Sequence, residues 1–254
     1  MCPIFILPCG GRSGSTWLAR LLISSKDILV WSETNLLSQR FQHINSVAYT
    51  YAIDTNKDTD LHYFRKHGTN MWAAALRPFE EDFNENWALM MNNLFLNSAI
   101  KEGYKNWGLK EVNWNTNDIY FIRKYWKDYR IIFLVRNFLD CYRSAIGTGW
   151  LLGDAGRIGF VQEWLRMAGQ ISLNSHVKDK ERIFKYENIN LTHLSDWCGT
   201  KLETNISYVG SSSAVITSHD WEIISQFLGA INTFSNNLGY GKIENNLLPE
   251  EKVF

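Results

Sequence analysis

The sequence carries no surplus of charge. Lysine plus arginine and aspartate plus glutamate stand at 26 each, with an isoelectric point near 7.0. Nothing global therefore draws the surface toward nucleic acid or an anionic membrane, and any anion site must be local. Cysteine is scarce as well. Cys2, Cys9, Cys141 and Cys198 lie far apart with no C-x-x-C pair and no histidine at metal-ligand spacing. That pattern excludes a recognisable disulfide framework or zinc site and reads the four thiols as reduced and structural. Long apolar runs are missing too. No stretch reaches eighteen residues, and segment 2–9 is too short to span a bilayer and lacks the basic flank of a signal peptide. A soluble, cytoplasmic protein without a membrane span is expected. Without a secretory route, the sequons at Asn190-Leu191-Thr192 and Asn205-Ile206-Ser207 carry little meaning. Repeats, low-complexity tracts and linkers are also absent. At 254 residues the chain is expected to form a single domain, 1–254, with a sizeable core.

What is present is an alternation. Continuous apolar runs at Pro3 to Pro8, Ile28 to Trp31, Trp107 to Leu109, Arg130 to Val135 and Arg182 to Tyr186 read as strands buried on both faces. Between and after them, residues 15–25, 85–102, 117–127, 137–147, 159–174 and about 219–238 carry apolar residues at helical spacing. Strand and helix in turn predict an α/β fold, doubly wound, with a central parallel sheet flanked by helices. Residues 46–82 are the least regular part and read as a surface excursion or lid.

The first strand runs into GGRSGST, and a helix begins around Ser15-Thr16. A glycine-rich turn feeding a helix N-terminus is an anion cradle, because first-turn N–H groups are unpaired and the dipole end is positive. Gly10, Gly11 and Gly14 let backbone approach the anion; Ser13, Ser15 and Thr16 add hydroxyls, and Arg12 adds a permanent charge. An ordinary tight strand-to-helix turn is the plain alternative. A P-loop kinase would need G-x-x-x-x-G-K-[ST], but no lysine separates Gly14 from Ser15-Thr16. The strand at 130–135 also ends in Arg136 where a magnesium-binding site would have an acidic residue. That same Arg136 sits at a strand carboxyl end, where open α/β sheets bind ligands, with Ser144 following in the next helix. Pairing of Arg136 with Asp140 is the structural alternative.

Together these stretches resemble the PAPS-dependent sulfotransferases. GGRSGSTWLARLL is similar to their 5′-phosphosulfate loop, and LVRNFLDCYRSAI to their 3′-phosphate strand and helix, R-x-x-x-D-x-x-x-S. Weaker matches are WGLKEV, IFKYENI and NNLGYG; residues 46–82 and 148–158 match nothing. The resemblance implies a P-loop-like fold and metal-free sulfonyl transfer from 3′-phosphoadenosine 5′-phosphosulfate (PAPS) to a hydroxyl or amine, on a carbohydrate or small molecule. It further implies that Gly11 and Arg12 to Thr16 hold the phosphosulfate while Arg136 and Ser144 hold the 3′-phosphate. Arg12 stands where cytosolic aryl members have lysine, as in carbohydrate-type and bacterial members. VGSSSAVITS is a candidate nucleotide wrap without the cytosolic G-x-x-G-x-W-K signature.

For the general base, the histidine of cytosolic K-T-H is replaced within Lys110-Glu111-Val112. Glu33, at the end of the second strand, is the candidate, best suited if burial beside Trp31 raises its pKa; Glu111 is the substitute. A carboxylate at a helix N-terminus is the bland reading of Glu33. Lys110 either orients the sulfonyl group or snorkels from a strand end. Trp31, Trp114 and Trp150 are acceptor-site candidates; Trp17, Trp126 and Trp164 read as packing, and His43, His62, His67 and His176 as bystanders. A P-loop phosphotransferase and a non-catalytic nucleotide-binding protein remain the alternatives.

Overall fold

The computed structural model describes residues 2–34, 80–174, 179–202 and 214–244. Most of the expected lid, the four bystander histidines, the second sequon and the start of VGSSSAVITS lie outside these residues. The expected α/β alternation is there: β1 (Ile4–Pro8), α1 (Ser15–Ser24), β2 (Ile28–Ser32), α2 (Glu80–Lys101), β3 (Asn106–Lys110), α3 (Thr116–Tyr125), β4 (Arg130–Val135), α4 (Phe138–Gly147), α5 (Gly153–Asn174), β5 (Glu181–Lys185), α6 (Leu191–Cys198) and α7 (Ser218–Asn237). Two helices start earlier than their periodicity indicates, α2 by five residues and α5 by six. One was not expected at all: α6 is short, and it owes its ends to the Asn190 side chain accepting from His193 N–H and to left-handed Gly199.

All five strands are parallel, in the order β2-β3-β1-β4-β5. β1, β3 and β4 are buried on both faces, which explains their runs without alternation, whereas β2 and β5, expected to be the same, are only partly buried because each lies at a sheet edge. On β1, Ile4 and Ile6 join a cluster with Trp17, Leu18 and Leu22 of α1, whereas Phe5 and Leu7 face a larger cluster with Trp107, Trp126, Phe133 and Trp164. The sheet is thus the middle of three layers. From β1 the chain goes out to edge strand β2, returns to β3 beside β1, then crosses to β4 on the other side of β1. This reversal opens a crevice at the carboxyl ends of β1 and β4.

Polar anchors fasten the helices around that crevice. Asp220 accepts hydrogen bonds from Tyr142 on α4 and Arg157 on α5, and with Thr217 it forms the capping box of α7. Burial pulls its pKa upward, but the bonds from Thr217, Arg157 and Tyr142 outweigh that and leave Asp220 below its ordinary value. At the other edge, Glu181 of β5 takes a two-point ion pair from Arg123 and a hydrogen bond from Tyr129.

Asp118 behaves in the opposite way. It caps α3 reciprocally with Asn115 yet is fully buried, and burial, reinforced by the Glu111 charge, pushes its carboxyl up to about 7 despite the Asn115 N–H. The folded state therefore holds a proton between the ordinary value of 3.8 and about 7 that the unfolded chain has lost. Its contribution to stability falls as pH rises through that window and is level above it. Thermal unfolding of wild type and Asp118→Asn at pH 5 and pH 8 should show the difference between them shifting in favour of the variant at the higher pH. A pH-independent difference would contradict the assignment.

Candidate active site

The loop after β1 is a succession of left-handed residues. Cys9 N–H extends the ladder to Leu134 O at 2.8 Å, Gly10 N–H folds back on Pro8 O at 3.0 Å, and Gly10, Arg12 and Gly14 take φ of 75°, 63° and 91°. Left-handed arginine is strained by about 1–3 kcal/mol, a cost that neighbouring contacts must hold in place. Gly14 is the N-cap of α1 and makes no side-chain cap bond, so the N-terminus of α1 opens on the loop.

Arg136 closes the loop from the next strand. It is 7% exposed at the carboxyl end of β4, donates from Nη1 to Arg12 O at 3.0 Å, and lays its guanidinium 4.7 Å from the centre of the Tyr186 ring. Pairing with Asp140 does not occur, because that carboxylate binds Arg143 one turn along α4. Arg136 Nε is buried with no hydrogen-bond partner among the described residues. Arg12 reaches the other way, donating from Nε to Ser144 Oγ on α4 at 3.0 Å. The two stretches singled out in the sequence are therefore joined twice, once through backbone and once through side chains.

These residues line a cleft of about 250 Å³ that also includes Gly11, Gly14, Ser15, Thr16, Trp17, Arg20, Val112, Trp150 and Tyr186. Three arginines and no carboxylate face it among the described residues, a composition suited to an anion with more than one charge. Ser13 was expected at the cleft. It is instead fully buried, outside the lining, and its Oγ has no hydrogen-bond partner among the described residues. Arg20 and Tyr186 were not expected there. The signal for Arg20 is its i+4 position from exposed Thr16 on α1, which puts both on one face; that for Tyr186 is its place in the weaker match IFKYENI.

Tyr186 is held from behind. A short 3₁₀ turn, Tyr186–Asn188, follows β5, and Glu187 accepts from Asn137 N–H at 2.7 Å, at the start of α4, and from Tyr240 hydroxyl at 2.8 Å. The weak motifs IFKYENI and NNLGYG thus meet behind Arg136. Burial first, then the Glu187 hydrogen bond and charge, drive the Tyr240 phenol far above its ordinary value, so it remains a donor.

At the ends of β2 and β3, Lys110 Nζ lies 2.5 Å from Glu33 Oε1. The expected burial of Glu33 does not occur: its side chain is 62% exposed and that of Lys110 only 3%. A snorkelling lysine does not describe Lys110, whose side chain is enclosed, and the residues after Thr34, on which a helix-terminus reading of Glu33 rests, lie outside those described. Glu33 follows β2 in a left-handed conformation, φ 53°, tied by its N–H to Lys110 O at 2.9 Å. Glu111 is sealed at 1% exposure and accepts from the Thr34 hydroxyl. Val112, two residues beyond Lys110, reaches the cleft. Among the tryptophans, Trp114 is buried with Nε1 donating to Pro8 O at 2.8 Å, which removes it as an acceptor contact, and Trp31 packs half-buried toward Phe95. Trp150 is 56% exposed but sits against Arg12.

A profile of the sulfotransferase family matches residues 3–189, which hold both loops of the cleft, Glu33, Lys110 and Tyr186. The chain belongs to the sulfotransferase family. Among solved structures this sulfotransferase is similar to the sulfotransferase domain of the curacin biosynthetic pathway, at 12% identity and TM-score 0.51, covering 96% of this chain and 99% of that one. It is also similar to the sulfotransferase domain of the Synechococcus PCC 7002 olefin synthase, at 15% identity and TM-score 0.48, covering 89% and 94%. These identities speak for the fold alone. No curated protein matches the sequence significantly. Among the described residues there is no helix long and apolar enough to cross a membrane.

Gly14 tests the packing of this site. A Cβ there would lie 2.2 Å from the Tyr186 ring, whereas at Gly103, which also has positive φ, nothing lies within 4 Å. Gly14→Ala should therefore lose about 1–3 kcal/mol more unfolding free energy than Gly103→Ala, the scale of overpacking in a tight site. Denaturant titration of both variants measures it, and equal losses would mean that Tyr186 is not held against the loop.

Proposed function

We propose that this sulfotransferase moves a sulfonyl group from PAPS to a hydroxyl acceptor, a carbohydrate or small molecule, without a metal. The observation that carries the reading is the convergence of Arg12, Arg20, Arg136 and the α1 N-terminus on one cleft with no carboxylate among the described residues that line it. PAPS has two separated anionic centres, and the cleft has two cationic sides. On this reading Gly11, Arg12, Gly14, Ser15 and Thr16 meet the 5′-phosphosulfate, Ser13 shapes the loop, and Arg136 with Ser144 meets the 3′-phosphate. The buried, unpartnered Nε of Arg136 supports the assignment, because such a donor is costly unless a ligand satisfies it.

In the transfer, the acceptor oxygen forms a bond to sulfur while the bond from sulfur to the bridging phosphate oxygen breaks. The acceptor proton goes to the Glu33 carboxylate. Negative charge grows on the departing phosphate, where Arg12 and the helix N-terminus counter it. Lys110 holds Glu33 and places a positive charge beside the transferring group. Exposure favours Glu33 over sealed Glu111, since a base must touch the acceptor.

Calorimetric titration with 3′-phosphoadenosine 5′-phosphate, the desulfonated product, tests the donor site. Arg136→Ala should weaken this nucleotide about ten- to a hundredfold, the loss of one charge-assisted contact. Adenosine 5′-phosphosulfate, which lacks the 3′-phosphate, should lose much less. Equal losses would remove Arg136 from the 3′ side, and turnover that strictly requires magnesium would return the protein to the phosphotransferase reading.

Glu33→Gln separates base from scaffold. Product-nucleotide affinity should stay near wild type while sulfonyl transfer, screened from labelled donor onto sugars and phenols, falls by about 10²–10⁴. Normal turnover with a lowered melting temperature would defeat the assignment. Nucleotide binding with no transfer to any acceptor class by the wild type would favour a non-catalytic binding protein.

A further inference from the structure

Arg12 is held on three sides, and one of them is a residue without precedent in either motif. The backbone carbonyl takes Arg136 Nη1 and the side-chain Nε donates to Ser144 Oγ, each at 3.0 Å. The guanidinium carbon lies 5.2 Å from the centre of the Trp150 ring, within the range of cation–π attraction. Trp150 comes from residues 148–152, the connection between α4 and α5. That connection is itself tied to α4, with Thr148 hydroxyl donating to Ser144 O at 3.0 Å and Trp150 N–H to Ala145 O at 3.0 Å. One helix end thus presents both a hydroxyl and a ring to the same arginine.

Two further observations show that this placement is built in. Trp150 is 56% exposed, so it is not where it is to complete the core. And a Cβ at Gly11, the residue before Arg12, would lie 2.7 Å from that ring, although Gly11 needs no left-handed conformation. Gly11 leaves room for the tryptophan. Guanidinium stacked on an aromatic face keeps its in-plane N–H groups available for oxyanions, which a salt bridge would occupy.

We infer that Trp150 is a positioning residue for the donor site: it stacks on Arg12 and fixes the guanidinium in the orientation that meets the phosphosulfate. This rests on the donor reading above, and it gives Trp150 a role on the donor side in place of acceptor contact.

The test has a ligand-free arm and a nucleotide arm. In nitrogen-15 spectra of the wild type, the Arg12 Nε–H signal, assigned by its loss in Arg12→Lys, should be displaced upfield by the indole ring current. Trp150→Leu should abolish the displacement, and Gly11→Ala, which pushes the ring away while leaving tryptophan in place, should do the same. Trp150→Phe should keep much of it. Affinity for 3′-phosphoadenosine 5′-phosphate should fall about tenfold in Trp150→Leu, stay within about threefold in Trp150→Phe, and show no further loss when Trp150→Leu is added to Arg12→Lys. An Arg12 signal that is the same in wild type and Trp150→Leu overturns the contact. A lost ring-current shift with unchanged affinity overturns the positioning role. Wild-type protein that shows the shift and binds no adenosine 3′,5′-bisphosphate overturns the donor reading instead, so the two failures are told apart.

Discussion

Arg136 donates one guanidinium N–H to the carbonyl of Arg12, and on that bond two distant parts of the chain become one site. The bond forms because β1 and β4 are neighbours in the sheet, with Pro8 opposite Leu134, so the loops leaving their carboxyl ends emerge side by side. A buried arginine is expensive unless its donors and its flat faces are both occupied. Here one face lies on Tyr186 and one donor on Arg12, while Nε has no partner among the described residues. Everything that fixes Tyr186 therefore fixes the cleft as well, including the Glu187 bonds to Asn137 and Tyr240.

The aromatic walls also account for the loop's composition. Gly14 combines a left-handed backbone with a ring at its α-carbon, and Gly11 meets a ring with an ordinary backbone. Arg12 pays a conformational strain between them and is held by contacts to Arg136, Ser144 and Trp150. Of the three non-glycine residues with positive φ among those described, Arg12 lines the cleft, Glu33 pairs with Lys110 at the ends of β2 and β3, and Lys26 belongs to the turn that ends α1. Strain of this kind persists where surrounding contacts over-determine it, and a cation placed before its ligand arrives needs no reorganisation during chemistry.

At the ends of β2 and β3 the electrostatics run through a lysine inside and a carboxylate outside. Lys110 is enclosed by the sheet end, and its charge is answered by Glu33, which reaches over from the next strand. Burying one ion of a pair is tolerable when the partner stays hydrated and close. Glu111, the next residue along, points into a different environment, shared with Thr34 and within the field of Asp118. Two adjacent residues of one strand end thus serve opposite sides of the sheet, as the period of a strand requires.

Much of this was legible in the residues alone. Continuous apolar runs determined the central strands, since a strand buried on both faces has no polar side to alternate; glycine and hydroxyl residues before an amphipathic run determined the turn into α1; and Arg136 at a strand end with Ser144 beyond it marked the second segment that lines the cleft. The residues also excluded a lysine-type P-loop. Spatial relations between strands lay beyond them. That Ser13 turns inward, that Glu33 is exposed while Lys110 is buried, that Trp114 is core, and that Tyr186 and Trp150 wall the two arginines all depend on which strands lie side by side. Local chemistry sets what each segment can form, whereas contacts across more than a hundred residues are chosen by sheet order, and sheet order is settled only when every apolar face is buried at once.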